Sequence, residues 1–247
     1  PSVPEASVAQ MAAMLSAAEK PVLLVGGTRW KADSARALES FAVGNDVPVV
    51  AAFRFHDIID NHCPSFVGDA GVAMNSYMKD LLREADLIVA INIRFGESTT
   101  DGYSLFDAPK MAAKLVHSHA SDDEIGKIYA PDLPIHAGPN AMAGALAGIS
   151  LPESKTRNAW RDAARKNYLA ALTTPVQPGD VDMGVITAHI RDTLPDDAIV
   201  THGAGNFSIW PNKFIPYGKN QRMLGPQSGS MGFGLPAALA AKVHDPS

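Results

Sequence analysis

The chain has 247 residues, 46% hydrophobic and 19% charged, a globular composition that excludes disorder for its bulk and predicts one large domain or one domain plus part of another. The balance of 21 Lys and Arg against 26 Asp and Glu, net −5, argues against a nucleic-acid or anionic-membrane surface. One cysteine, Cys63, excludes an intrachain disulfide and fits a reducing, cytoplasmic setting, and no apolar run approaches the roughly 20 residues needed to span a bilayer.

The N-terminal PSVPEASVAQ has no basic region followed by an apolar stretch, so no signal peptide is expected. It also lacks an initiator Met, as in a chain that begins inside a longer protein or one that has lost Met before a small residue. From Glu5 to Glu19, Val8, Met11, Ala12 and Leu15 recur at the spacing of one helical face. Pro21–Val25 reads as a strand covered on both faces, ending at Gly26-Gly27. A helix over Ala32–Val43 with Asn45 as its stop, a strand at Val47–Ala51, a helix over Ala70–Glu84 and a strand at Leu87–Ile91 follow. After the polar residues Arg94–Asp107 come shorter strands at Lys114–His117 and Leu133–His136, then a helix over Pro139–Leu146 with proline in its first turn. This alternation predicts a doubly wound parallel α/β sheet over residues 1–150. Its ligand crevice lies at the carboxyl ends of the strands, at Gly26-Gly27, Ala52-Phe53 and Asn92–Gly96.

Residues 151–179 read as a connector: a turn at Leu151–Ser154, an amphipathic helix over Arg157–Leu172 set against the first unit, and a Pro/Gly-rich boundary at Thr173–Gly179. Residues 180–247 form a second α/β unit with an Asp182-capped helix to Leu194, a strand at Ala198–Thr201, a helix over Gly205–Phe214, and a glycine-rich loop feeding a helix from about Leu235. With one or two strands this unit is incomplete. It needs the rest of its domain, another chain, or a large contact with the first unit.

Several constellations have ordinary readings. His117 and His119 share a strand face but lack a third metal ligand at suitable spacing, so they read as partly exposed residues at a strand end. Asp122-Asp123-Glu124 reads as the first turn of a short helix, and no nucleophile-elbow spacing occurs. Gly26-Gly27 serves equally well as a tight turn or as a close approach for a nucleotide phosphate. The strongest signal is Ser228–Ala238, SGSMGFGLPAA, in which Met231 stands between glycines just before a helix. Such a loop either caps a helix or reads the edge of a flat heteroaromatic ligand with its backbone while one apolar side chain props it.

The stretch SGSMGFGLPAALAAK resembles the start of the diphosphate-binding domain of thiamine-diphosphate-dependent enzymes, nearest to the acetolactate synthase-like branch. DAIVTHGAGNFSIW is similar to the family's strand, turn and Trp-bearing helix upstream. PVLLVGG, VPVVAAF, EADLIVAINIRFGE, KLVHSHASDDEIGK and PDLPIHAG are similar, in order, to its Rossmann-like central domain. The resemblance covers nearly the whole chain. It implies a transferase or lyase that decarboxylates 2-oxo acids and joins the acyl unit to a second carbonyl, with a decarboxylase or acyltransferase as alternative.

The resemblance also implies roles for particular residues. The Gly229 carbonyl and the Met231 amide would read the aminopyrimidine edge, with Ser230 between them in the same cofactor-binding stretch. The Met231 side chain would hold the cofactor bent and so take a catalytic part. Gly205, Asn206 and Phe207 would occupy the turn that meets the diphosphate, and Phe207 departs from the polar residue common there. Gly26, Gly27 and Arg94 fall where some relatives contact FAD. His119 and Ser121 replace acidic residues of those members, and Ala73 stands in place of a His. No metal ligand is assigned here: magnesium ligands are expected beyond Ser247, and the carboxylate facing the pyrimidine in an N-terminal domain not represented in the sequence. A homodimer or homotetramer, and a fragment inactive alone, are expected. The rival reading is a non-catalytic module that binds FAD or an adenine nucleotide at Gly26-Gly27.

Overall fold

The computed structural model describes residues 1–246. The apolar run Pro21–Val25 is the central strand β1, buried along its whole length. It pairs in parallel with β2 (Val49–Ala52) on one side and β4 (Leu87–Ile91) on the other. With β3 (Phe66–Ala70), β5 (Lys114–His119) and β6 (Leu133–His136) these form a six-stranded sheet in the order 3-2-1-4-5-6. That is the order of a doubly wound dinucleotide-binding sheet, as the alternating pattern requires.

The strand side chains divide the core in two. Leu23, Val25 and Val89 pack with Met11 and Leu15 of α1 (Glu5–Ala17), Leu38 and Phe41 of α2 (Ala32–Gly44), and Met142 and Leu146 of α4 (Pro139–Ala147). Val22, Leu24 and Ile88 face the other way, onto Met78, Leu81 and Leu82 of α3 (Ser76–Glu84). Successive strand residues point to opposite faces, so one apolar run serves both layers.

The expected helix over 70–84 is corrected. Phe66–Ala70 is a strand, and the helix begins only at Ser76. Val67 and Ala70 are buried in the sheet, and the left-handed Ala73 prevents any helix from running through.

The connector helix α5 (Lys155–Ala171) is tied to the first unit. Arg157 Nε donates to the Asn45 carbonyl at 2.7 Å, Trp160 Nε1 to Pro21 at 3.2 Å, and Arg165 Nη1 to Phe66 at 2.7 Å. Beyond it lie α6 (Met183–Thr193), β7 (Ile199–Thr201), α7 (Ile209–Phe214), β8 (Arg222–Leu224) and α8 (Gly234–His244). The helix expected from Gly205 is instead a 3-10 turn at Asn206–Ser208 followed by the short α7. β7 and β8 make a second small parallel sheet.

The hydrophobic cluster of the second unit is small: Ile215, Tyr217 and Met223, with Leu194 and Val200 against it. It leans on the first unit through polar links. The Asn61 amide donates to the Tyr217 carbonyl at 2.8 Å, the Tyr217 amide donates to Asn61 Oδ1 at 2.9 Å, and the Met223 amide donates to Asp57 at 3.2 Å. α8 buries none of its residues, and Leu235, Leu239 and Val243 are exposed. Among the described residues, no helix is long and apolar enough to cross a membrane.

Candidate functional site

Four strands of the large sheet each release the chain through a left-handed residue: Gly27 after β1, Arg54 after β2, Ala73 after β3 and Asn92 after β4. Left-handed backbone at non-glycine residues is uncommon and concentrates at functional rims. Gly26 and Gly27 are both accounted for by packing. A Cβ on Gly26 would lie 2.8 Å from Ala52 and from Ile93, and one on Gly27 would run into the amide and carbonyl of Asn92. Asn92 Nδ2 also donates to Thr28 at 3.1 Å, and Trp30 Nε1 to Gly26 at 2.9 Å. The tight-turn reading explains both glycines without a ligand. Arg94 projects from the same rim, largely exposed, with its Nε 3.6 Å from the Glu124 carboxylate. Gly26, Gly27 and Arg94, the positions where flavin contacts are expected, thus share one rim at the carboxyl ends of β1 and β4.

The two strand histidines are not partly exposed. β5 runs on to His119, and both rings are buried. His117 Nε2 is 3.2 Å from the Ile93 carbonyl, and its Nδ1 accepts from the Gly126 amide at 3.4 Å. Burial lowers its pKa below the ordinary histidine value. The ring is a neutral core histidine bonded at both nitrogens. His119 Nδ1 accepts from the Ser121 amide at 3.0 Å. Asp122–Glu124 form a short 3-10 turn in which Glu124 meets Arg94 and Lys127.

The residues singled out near the C-terminus gather at the carboxyl end of the small sheet. β7 leads into the turn Gly203–Phe207 and β8 into the loop that carries Ser228–Gly232. Gly234, the first residue of α8, locks the two together: a Cβ there would lie 3.0 Å from the Gly203 nitrogen. Thr201 Oγ1 donates to the Gly234 carbonyl at 2.9 Å. Only glycine lets this helix start so close to the neighbouring turn.

Within the loop, Gly229 and Gly232 are left-handed, with open space where a Cβ would stand. Met231 between them is 86% exposed. Among the described residues, neither the Gly229 carbonyl nor the Met231 amide has a hydrogen-bond partner. Ser230 Oγ meets Ser228 Oγ at 3.0 Å. In the other turn, Gly205 (φ +141) sits under the Phe207 ring, which folds back over it, and Ser208 Oγ donates to the Gly205 carbonyl at 2.7 Å. Asn206 opens the 3-10 turn. The free carbonyl, the free amide and the exposed thioether fit a flat ring with donors and acceptors along one edge.

Sequence reasoning missed a polar cluster at the junction of the two sheets. Arg54, His56, His202 and Asn212 are buried there, and among the described residues each has a side-chain atom without a hydrogen-bond partner. A cavity of about 10 Å³ beside them, lined by His56, Asp69, Tyr77 and Asn212, has room for about one water. A charged residue directly after a buried apolar strand, as in AAFRFHD, was the available signal.

The family model for the central domain of thiamine pyrophosphate enzymes matches residues 8–146. The chain is 30% identical over 258 residues to the acetolactate synthase large subunit of Corynebacterium glutamicum, covering 99% of this chain and 40% of that protein. It is 29% identical over 251 residues to the large subunit of Parasynechococcus marenigrum (98% and 39%) and 26% identical over 246 residues to the isozyme 2 large subunit of Escherichia coli (99% and 43%). It thus spans about two-fifths of the length of these relatives.

Proposed function

The chain belongs to the family of thiamine pyrophosphate enzymes, and on that premise we propose that it forms the central domain and the leading part of the diphosphate-binding domain of an enzyme acting on 2-oxo acids. The reaction we propose is decarboxylation with carboligation, as the names of its acetolactate synthase relatives suggest. One observation carries the reading: Met231 stands exposed between two left-handed glycines, beside an unpaired carbonyl and an unpaired amide.

In this reading the Gly229 carbonyl accepts from the exocyclic amine of the cofactor's pyrimidine and the Met231 amide donates to a ring nitrogen. The Met231 side chain wedges the two rings into a bent shape, a proximity effect from an apolar prop. Gly205 and Asn206 present backbone amides toward the diphosphate, and the Phe207 ring shields that turn from water without contributing a polar contact. Thiamine diphosphate, when bound, supplies the nucleophilic carbon and the electron sink for loss of carbon dioxide. The carboxylate facing the pyrimidine, the magnesium ligands and most substrate contacts belong to the other three-fifths of a protein of the relatives' length. The exposed faces of Leu235, Leu239 and Val243, and an apolar groove of about 590 Å³ between α8 and β8, are surfaces for that remainder.

The test is Met231→Ala in the full enzyme. Cofactor affinity and turnover fall at least tenfold while the melting temperature holds; equal loss of stability and activity overturns the assignment. Product analysis with pyruvate separates the reactions. A carbon–carbon-joined product supports carboligation, whereas free aldehyde alone replaces it with simple decarboxylation.

A further inference from the structure

Two buried polar side chains, one from each unit, face the small cavity at the junction. His56, in the 3-10 turn that follows β2, is 3% exposed, and neither ring nitrogen has a hydrogen-bond partner among the described residues. Asn212, on α7, is 5% exposed, and its Oδ1 and Nδ2 are likewise unpaired among them. Both line the cavity of about 10 Å³. His56 Nε2 stands 3.4 Å from Asp69 Oδ2, an approach that makes no hydrogen bond.

Other polar groups around the cavity are already engaged. Tyr77 Oη donates to the Val67 carbonyl at 3.1 Å, and Asn75 Oδ1 accepts from Lys213 Nζ at 3.2 Å. The Asn61 carboxamide is taken up by His56, Ile59 and Tyr217 backbone groups. Lys213 also donates to the Ala73 carbonyl, so α7 lies against the loop after β3. Buried polar groups in native proteins are rarely left unpaired, and ordered water commonly completes them.

The donor and acceptor pattern selects the occupant. A cation would leave the Asn212 N–H groups unpaired. An anion would leave the Asn212 carbonyl unpaired and lie beside the Asp69 carboxylate. Water both donates and accepts, so it serves Asn212 and either tautomer of His56. The cavity also matches it in size, at about the volume one water needs.

We infer that one ordered water occupies this cavity, bonded to His56 of the first unit and Asn212 of the second, with Asp69 as a further acceptor, and that it pins α7 to the first unit. Buried waters make about three hydrogen bonds, which these three side chains supply. α7 continues directly from the turn at Asn206–Ser208, so the same water steadies that turn. The inference stands whether or not the cofactor reading does.

The experiment is a high-resolution crystal structure of the unaltered protein, with hydrogen exchange on two single variants and their double. Density is expected for one water within hydrogen-bond distance of both His56 and Asn212. No density there, a water touching only one of the two, or a peak bonded to oxygen atoms alone, as a cation would be, overturns the inference. In solution, His56→Phe and Asn212→Leu should each quicken amide exchange across residues 206–214 at least tenfold relative to β1. Each change breaks the same bridge, so the double variant should quicken exchange no more than the faster single one. Effects that multiply in the double variant would assign the two side chains independent roles and overturn the bridge. The crystal structure of the unaltered protein decides the matter even if a variant does not fold.

Discussion

The carboxamide and carbonyl of Asn92 lie directly against the α-carbon of Gly27, across the point where the large sheet reverses its strand order. That contact closes the end of β1 with the chain's own atoms.

Gly27→Ala should therefore be costly on two counts: a left-handed backbone (φ +67) and a methyl group in the space of Asn92. The expected loss is about 2–4 kcal/mol in urea unfolding. A change under about 0.5 kcal/mol would show that the turn relaxes freely.

Asn61, 1% exposed, ties the first unit to the second. Its Nδ2 donates to the His56 carbonyl at 2.7 Å and to Ile59 at 3.0 Å, and its Oδ1 accepts from the Tyr217 amide at 2.9 Å. Asn61→Ala strands three backbone groups and should cost about 2–4 kcal/mol. Amide exchange should quicken at Tyr217 and along β8 before it does so in β1. Uniform quickening throughout would contradict a role at the junction.

Stability should fall on acidification. Burial holds the folded-state pKa of His117 and His202 below the ordinary value of 6.5. The unfolded chain then takes up protons first, so this contribution is complete above about pH 6.5 and is lost as the pH falls through the lower folded values. At His117 protonation also removes the lone pair that accepts from Gly126. Melting curves between pH 7.5 and 5 test this, and a His117→Gln variant should show a shallower decline. An identical slope in the variant would assign the effect elsewhere.

Thr201→Val removes the hydroxyl that donates to Gly234 while keeping side-chain shape. The cost should be about 1 kcal/mol. Its signature should be faster amide exchange confined to the first turn of α8; unchanged exchange there would show that Gly234 packing alone holds the helix start.

The large sheet was legible because its signals are local. Pro21–Val25 and Leu87–Ile91 are short, uninterrupted apolar runs, and a strand buried on both faces needs no more than that. Phe66–Ala70 escaped notice because FVGDA mixes apolar with polar and glycine residues, and its strand character comes from pairing with β2 at the sheet edge. The Met231 loop was legible for the opposite reason: glycines around one large apolar side chain, next to a helix start, form a pattern contiguous in sequence.

The sequence by itself determined the parallel α/β architecture, the family, and the loop in which Met231 is set apart, since each follows from residues near one another along the chain. Only the tertiary structure decided that the space beside the glycines after β1 is filled by Asn92 and Ala52, that His117 is a core residue, and that Arg54 lies buried against the Phe53 ring, bordering Gly225 together with His202. Those depend on residues far apart in sequence, and burial and hydrogen-bond satisfaction are properties of what surrounds a side chain in space, which spacing along the chain does not encode.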